Sequence, residues 1–357
     1  VLRVLTKISK EVERMISERR HSILKLVIEH YLRTGEPIGS KTLCDLLPYS
    51  VSSATIRNEM AYLTELGYLE QRHTSGGRVP TKASYRYYVD NLMDTHELTD
   101  YEKSRINESL SVNSGDPERL LADAAKLLAE YTHCASFCCM LEDENDCVQG
   151  VELIPAGKSK ATLVVLTAGS KVKASLVNLQ CEPDDEYLIA FYKVINELVT
   201  GTRLTDITPA LMQNAAAMAG DRIFDLLPAL SSLCSLCGEA AGSKLALEGE
   251  TNLLSHRELG SDVYRLLTFL TERKQLVRLI RGFAESKLTR AVLLGDENPL
   301  YEMKNTASMI AKYDYGNNQK AAVGIIGGLR LDYESVIPRV KYITDTAERL
   351  LSGGGIL

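Results

Sequence analysis

Gly and Pro punctuate residues 17–93 so closely that no long helix fits there, and the intervening segments must fold as short helices and a hairpin. Between Ser17 and Arg33 apolar side chains fall at Ile23, Val27 and Tyr31, with Leu24 and Ile28 beside them. This is a stripe of helical period that Gly35 and Pro37 end. After Glu36-Pro-Ile-Gly-Ser40, Ser40 is placed to cap a second helix over KTLCDLL, which Pro48 stops. A third helix through SSATIRNEMAYLTELGYL has Ser52 and Ser53 as candidate caps, Ile56, Met60 and Leu63 at core spacing, and Gly67 at its close. Three short helices in succession predict a helix-turn-helix. The stretch from Tyr68 to Lys82 then sets two β-type runs around Gly76-Gly77, which predicts a β-hairpin wing.

Charge divides along the same boundary. Residues 1–93 hold 14 Lys and Arg against 10 Asp and Glu, whereas 94–357 hold 27 against 37, so a basic module of +4 precedes an acidic body of −10. A basic module suits nucleic acid, because Lys and Arg gain binding free energy by releasing counterions condensed on phosphates. With Ile56, Met60 and Leu63 inward, the third helix turns Ser53, Ala54, Arg57 and Asn58 outward at its N-terminal end, with Thr55 on the flank. Arg can pair guanine, Asn adenine, Ser and Thr either bases or phosphates, and Ala the thymine methyl, so these residues are the candidate base readers. Singly each is as well explained by capping or a solvated charge; the shared exposed face favours recognition. Arg72, His73, Ser75 and Arg78 on the wing, with Ser40, Lys41 and Lys82 on its flanks, are the candidate contacts to the DNA backbone. Tyr85, Tyr87 and Tyr88 are expected to pack the wing onto the first helix rather than to stack on bases.

Other motifs carry less. Gly35-Glu-Pro-Ile-Gly39-Ser-Lys-Thr42 has one residue too few between its glycines for a phosphate loop, and it follows a helix. Cys234-x-x-Cys237 lacks a second ligand pair, and Cys138-Cys139 point to opposite faces of a strand, so no metal and no cofactor is expected. Asp296-Glu297 could pose as catalytic carboxylates, but no nucleophile or base accompanies them, and Asp-Glu-Asn-Pro also suits the start of a helix. The eight cysteines, without a recognisable secretory segment, read as reduced thiols. No uninterrupted apolar run approaches the ~18 residues of a bilayer span, so a cytoplasmic protein with no membrane partner is expected.

In the body, an amphipathic helix over 117–133 leads into a strand at Ala135–Leu141. A β-meander follows through VQGVELI, ATLVVLTAG and KVKASLVNL. Helical patterns dominate from Glu186 to Phe283, before strands return in TRAVLLG, ASMIAKYDY and AAVGIIGG and a last helix runs through Glu334–Leu351. Strand material on both sides of a helical block predicts one α+β domain interrupted by another, with the insertion at about 156–282. The segment LMQNAAAMAGDRIFDLLPALSSLCSL, apolar and rich in small residues and Met, suits either a subunit contact or a helix buried within one subunit. Two-fold pairing has a separate argument, since one helix-turn-helix reads few base pairs.

The words GEPIGSKTL, SSATIRNEMAYLTELGYLEQ and HTSGGRVPTKASYRYYVDNL resemble the HrcA family of bacterial heat-inducible transcription repressors. Further resemblance lies in EGETNLLSHREL at 248–259, LLGDENPL at 293–300 and VGIIGGLRLDYESVIPRVKYI at 323–343. The resemblance implies a repressor, not an enzyme, that binds an inverted-repeat operator of chaperone operons as a homodimer and releases it on heat stress, supported by the GroE chaperonin. It implies an N-terminal winged helix-turn-helix, here 17–93 after an extension at 1–16. It also implies a GAF-like domain, at 94–155 and 283–357, interrupted by a mainly helical dimerisation domain, at 156–282. It carries base recognition onto Ser53, Thr55, Arg57 and Asn58 and backbone contact onto Arg72, Ser75 and Arg78. Two words depart from the family's pattern: Gly76-Gly77 replaces Ala-Gly at the wing, and Gly-Leu-Arg-Leu-Asp-Tyr at 328–333 replaces Pro-Thr-Arg-Met-Asp-Tyr. A winged-helix regulator whose GAF-like cavity binds a metabolite is the alternative reading, resting on fold analogy.

Overall fold

The computed structural model of the protein describes residues 18–72, 76–314 and 320–352. Helix α1 (Glu18–Thr34) buries Ile23, Leu24, Val27, Ile28 and Tyr31, the stripe read from the sequence. It stops at Gly35, whose φ of 74° closes the last turn with an N–H to the Tyr31 carbonyl at 2.9 Å. Helix α2 (Ser40–Leu46) begins one residue earlier than expected. Gly39 takes the cap position in extended conformation and Ser40 is already helical, so the expected Ser40 cap is absent. The cause lies one residue upstream. Ile38 bridges to Arg78, its N–H reaching the Arg78 carbonyl at 3.1 Å and its carbonyl accepting the Arg78 N–H at 2.9 Å, which fixes the chain as it enters the helix. Helix α3 (Ser53–Glu65) is capped by Ser52, whose Oγ accepts the Thr55 N–H at 3.1 Å, and it buries Ile56, Met60 and Leu63.

The wing strands β1 (Leu69–Glu70) and β2 (Val79–Pro80) pair antiparallel. Gly77 is required in this hairpin, because a Cβ there would overlap the Ile38 carbonyl. The chain continues through α4 (Lys82–Tyr87), a π turn at Tyr88–Leu92, α5 (Asp100–Ser111) and α6 (Pro117–Thr132). Of the three tyrosines, Tyr87 meets α1 through its hydroxyl, 2.6 Å from His21 Nε2. Tyr85 and Tyr88 are buried and also meet Tyr333 and Glu334.

After α6 come β3 (Ala135–Leu141), the meander β4 (Val148–Gly157), β5 (Lys160–Thr167) and β6 (Val172–Asn178), and helices α7 (Asp185–Val194), α8 (Pro209–Ala219) and α9 (Ile223–Ala241). The remainder is β7 (Lys244–Glu248), α10 (Asp262–Thr271), α11 (Arg273–Glu285), β8 (Arg290–Leu294), β9 (Thr306–Asp314), β10 (Lys320–Gly328) and α12 (Tyr333–Leu351). Strands order as β7-β3-β10-β9-β8 in one sheet and β4-β5-β6 in another. Strand β10 is central, and its residues Ala321–Gly328 are buried on both faces.

These elements form two compact units. One comprises the described residues up to Cys138 with Leu245–Tyr313 and Ala322 onward; the other comprises Cys139–Lys244 and Asp314–Ala321. The boundaries at 156 and 282 read from the sequence therefore move to 139 and 244. A cut at 156 would sever the β4–β5 hairpin, which pairs from Val148 to Gly157, and β7 lies beside β3, returning the chain to the first unit with α10 and α11. In the second unit, Val151, Leu153, Leu163 and Val165 pack with Phe191, Leu226, Leu230 and Leu233. By length and mean hydropathy, 1.3, α9 would suit a bilayer span, although Asp225, Pro228 and Glu239 interrupt its apolar run. Its Leu226, Leu230, Leu233 and Leu236 belong to the core of this unit.

Within the first unit the winged module is tied to the body by charged side chains. Arg86 grips Glu297, its Nε donating to Oε1 at 2.8 Å and its Nη2 to Oε2, while Nη2 also donates to the Val292 carbonyl at 2.6 Å. Glu297 in turn accepts the Leu294 N–H at 2.9 Å, closing the short turn Gly295–Glu297. Arg330 donates from Nε to the Tyr31 carbonyl at 3.1 Å and from Nη2 to the Leu32 carbonyl at 3.2 Å, satisfying the exposed end of α1. Its own N–H is held by Glu258 Oε1 at 3.3 Å. Glu334 accepts the Tyr88 hydroxyl at 2.8 Å and the Asp94 N–H at 3.2 Å, and the Tyr85 and Tyr333 rings lie 6.3 Å apart.

Charge-assisted, half-buried bonds of this kind are worth about 1.5–3 kcal/mol each. A double-mutant cycle of Arg86→Met and Glu297→Gln, read by urea denaturation, is expected to give a coupling of about 1–3 kcal/mol; additive single effects would refute the pairing. Glu102 supplies a pH test. The Thr99 N–H at 3.0 Å and Arg339 at 2.9 Å hold its carboxyl below the usual 4.5. The folded value is thus the depressed one, so the stabilisation is present above pH 4.5 and is lost as pH falls through the folded value. Glu102→Gln is expected to flatten the acid limb of the stability curve, measured by thermal denaturation at stepped pH.

Candidate nucleic-acid interface

The N-terminal end of α3 presents Ala54, Arg57 and Asn58 exposed, with Ser53 and Thr55 half-buried. This follows from the buried stripe on its other face and from the Ser52 cap, which starts the helix with its first side chains outward. Thr55 is partly committed locally, since its Oγ1 lies 2.8 Å from Ser52 Oγ. The helix is held against α1 by Glu59, which accepts from Arg20 Nε at 2.6 Å, and by the Arg20 guanidinium 3.8 Å over the Tyr62 ring. Arg20, counted toward the module's positive charge, therefore serves internal packing.

On α2, Lys41 is exposed and Ser40 half-buried. On the wing, Arg72 is exposed beside Glu70 at 3.2 Å, with its guanidinium 5.9 Å over the Tyr31 ring. Burial against that ring opposes the charge, but Tyr31 and Glu70 outweigh it, so the arginine's pKa is raised and it stays a cation. Arg78 anchors the hairpin through its backbone, and its Nε is buried without a hydrogen-bond partner among the described residues. His73 and Ser75 lie outside the described residues.

Lys82 departs from its expected place on the DNA face. Its Nζ donates to Asp296 Oδ1 at 3.1 Å and Oδ2 at 3.2 Å, so it points into the body's turn and not away from it. Asp296 and Glu297, set aside above as decoy carboxylates, are the partners of Lys82 and Arg86, and the helix expected after Leu294 is only the short turn Gly295–Glu297. Sequence reasoning missed this set, together with Arg330 and Glu334. The available signal was charge embedded in otherwise apolar words, LLGDENPL and GLRLDYE.

Cys234 and Cys237 share one helix, and burial pushes the Cys237 thiol up to about 12, which keeps it protonated. Among the described residues no three His, Cys, Asp or Glu side chains are placed to hold a metal ion.

A family model described as a winged helix-turn-helix transcription repressor, HrcA DNA-binding, matches residues 15–92, and one described as the HrcA protein C terminal domain matches 118–337. The heat-inducible transcription repressor HrcA of Acetivibrio thermocellus is 32% identical over 331 residues, 92% of this chain and 94% of that protein. That of Shouchella clausii is 30% identical over 342 residues, 95% of this chain and 99% of that protein. A crystal structure described as a hypothetical protein at 2.2 Å resolution shares the fold, with a TM-score of 0.60 at 22% identity over 95% of this chain and 99% of that one. The chain thus belongs to the HrcA family of heat-inducible transcription repressors, regulators that bind DNA through a winged helix-turn-helix and are not enzymes.

Proposed function

We propose that this repressor holds an inverted-repeat operator of chaperone operons as a homodimer and releases it on heat stress, with the GroE chaperonin supporting the DNA-binding state. The observation that carries the reading is the outward N-terminal face of α3, where Ala54, Arg57 and Asn58 are exposed beside Ser53 and Thr55. Arg57 and Asn58 read bases, and Ser53 and Thr55 read bases or phosphates. Ser40, Lys41, Arg72 and Arg78 position the module on phosphates, together with His73 and Ser75. Lys82 is left out of that set, because Asp296 holds it.

The unit 139–244 is proposed as the dimerisation domain and the five-stranded sheet with its helices as the GAF-like domain that the first inserts into. Support comes from apolar side chains that the second unit leaves on its own surface. Phe224 is 69% exposed and Leu227 44% on α9, while Leu226 and Leu230 on the same helix are buried. The apolar segment anticipated as either subunit contact or internal core thus has one buried face and one exposed face, and we assign the exposed one to the subunit contact. Val172 and Leu176 of β6 are similarly exposed. Chaperonin support rests on the family resemblance.

Footprinting of the chain's own upstream region, with and without chaperonin across temperature, tests the whole reading; no protected inverted repeat under any condition would refute it. Arg57→Ala is expected to cost about 1–3 kcal/mol on operator and nothing on random duplex, whereas Arg72→Ala weakens both and lowers the salt slope by about one. Equal losses for the two variants would remove the division of roles. Phe224→Asp is expected to shift sedimentation from dimer to monomer and to lower operator affinity; an intact dimer would place the contact elsewhere.

A further inference from the structure

Helix α11 seats itself on the body through Leu276, Ile280 and Ala284, which are buried. One step round the helix, Leu279 and Phe283 are only half-buried, and Gly282 between them contributes no side chain. Together with Phe137, Met303, Ile310 and Ile326 they wall a cavity of about 510 Å³, within the size of small-molecule sites, and its lining is almost wholly apolar. Polar groups stand at two places. At the floor, Ser308 Oγ donates to Asn298 Oδ1 at 2.6 Å, and both residues are buried. In the part of the lining open to solvent stand Gln275 and Arg278, both exposed. Among the described residues Arg278 makes no hydrogen bond or ion pair, and Arg273 and Lys274 lie on the same helix.

The geometry points to a binding site for a small amphipathic organic anion, an apolar chain or ring bearing one carboxylate. The apolar body fills the cavity and the carboxylate meets Arg278. The same site acts on the DNA-binding module, a step that rests on the operator-binding reading above. Asn298, on the cavity floor, donates to the Gly295 carbonyl at 3.1 Å. Leu293, on its wall, directly follows Val292, whose carbonyl accepts from Arg86. Gly295–Glu297 is the turn that grips Lys82 and Arg86, so an occupant that moves Leu293 or Asn298 displaces the anchor of the winged module. An occupant with different affinity for the docked and undocked arrangements changes operator affinity by the same factor that operator binding changes its own.

Calorimetry of the full chain with decanoate, and with decanamide as its neutral counterpart, tests the site. Decanoate is expected to bind saturably at one per chain and decanamide at least about tenfold more weakly. Gly282→Leu is expected to abolish binding while the chain stays folded, since a Cβ at Gly282 meets nothing within 4 Å and leucine favours helix over glycine. Arg278→Gln is expected to weaken decanoate alone, to the level of decanamide. Absence of saturable decanoate binding, or undiminished binding to folded Gly282→Leu, overturns the site; equal affinity for decanamide overturns the anionic class. Saturating decanoate is expected to change operator affinity at least about fivefold in the wild type and not in Gly282→Leu. Unchanged operator affinity overturns the coupling. Calorimetry involves no DNA, so its result stands apart from any failure of operator binding.

Discussion

The guanidinium of Arg86 and the carboxylate of Glu297 meet in a half-buried, two-pronged contact, and the placing of the winged module on its body depends on it. Such a pair adds little net stability over apolar packing, because both charges give up water. What it adds is direction, since a planar fork accepts a carboxylate in few orientations. Glu297 also closes its own turn through the Leu294 N–H, so one side chain orders the body locally and receives the module at once. Arg330 ties the C-terminal end of α1 to the body in the same way, through the Tyr31 and Leu32 carbonyls. The buried Tyr85 and Tyr88 add contacts to Tyr333 and Glu334.

The division into a basic first quarter and an acidic remainder has a double origin. Part of it suits DNA, as the exposed Arg57 and Lys41 illustrate. Another part is complementarity inside the chain. Lys82 and Arg86 face Asp296 and Glu297, and Lys25 faces Asp94, so cations counted toward the reader are neutralised by carboxylates counted toward the body. Charge counted along a sequence cannot distinguish these uses, because the partners of Lys82 and Arg86 lie more than two hundred residues away and that of Lys25 sixty-nine.

Local patterns were legible for a corresponding reason. The α1 and α3 stripes, the paired wing strands, the strand Ala135–Leu141 and the three strands of the meander depend on neighbours in sequence, and periodicity records them. Where the reading failed, a long-range contact decided. Ser40 does not cap α2, because Ile38 is pinned to Arg78 across the hairpin. Strand β7, only five residues long and following a nineteen-residue helix, was absorbed into the helical block, and its place beside β3 moved the unit boundary. The exposure of Ala54, Arg57 and Asn58 follows from the buried stripe of their own helix, whereas the place of Lys82 depends on Asp296 in the distant word LLGDENPL.

The bridge between Ile38 and Arg78 joins two parts of the module by main-chain bonds, and Gly77 lets them approach that closely. Main-chain spacing does not vary with side-chain identity. The offset between the entry to α2 and the base of the wing is therefore a fixed length of the fold. A duplex of different groove width cannot be accommodated by sliding one against the other; the module must tilt as one piece, and adjustment falls to the long, flexible side chains at its surface.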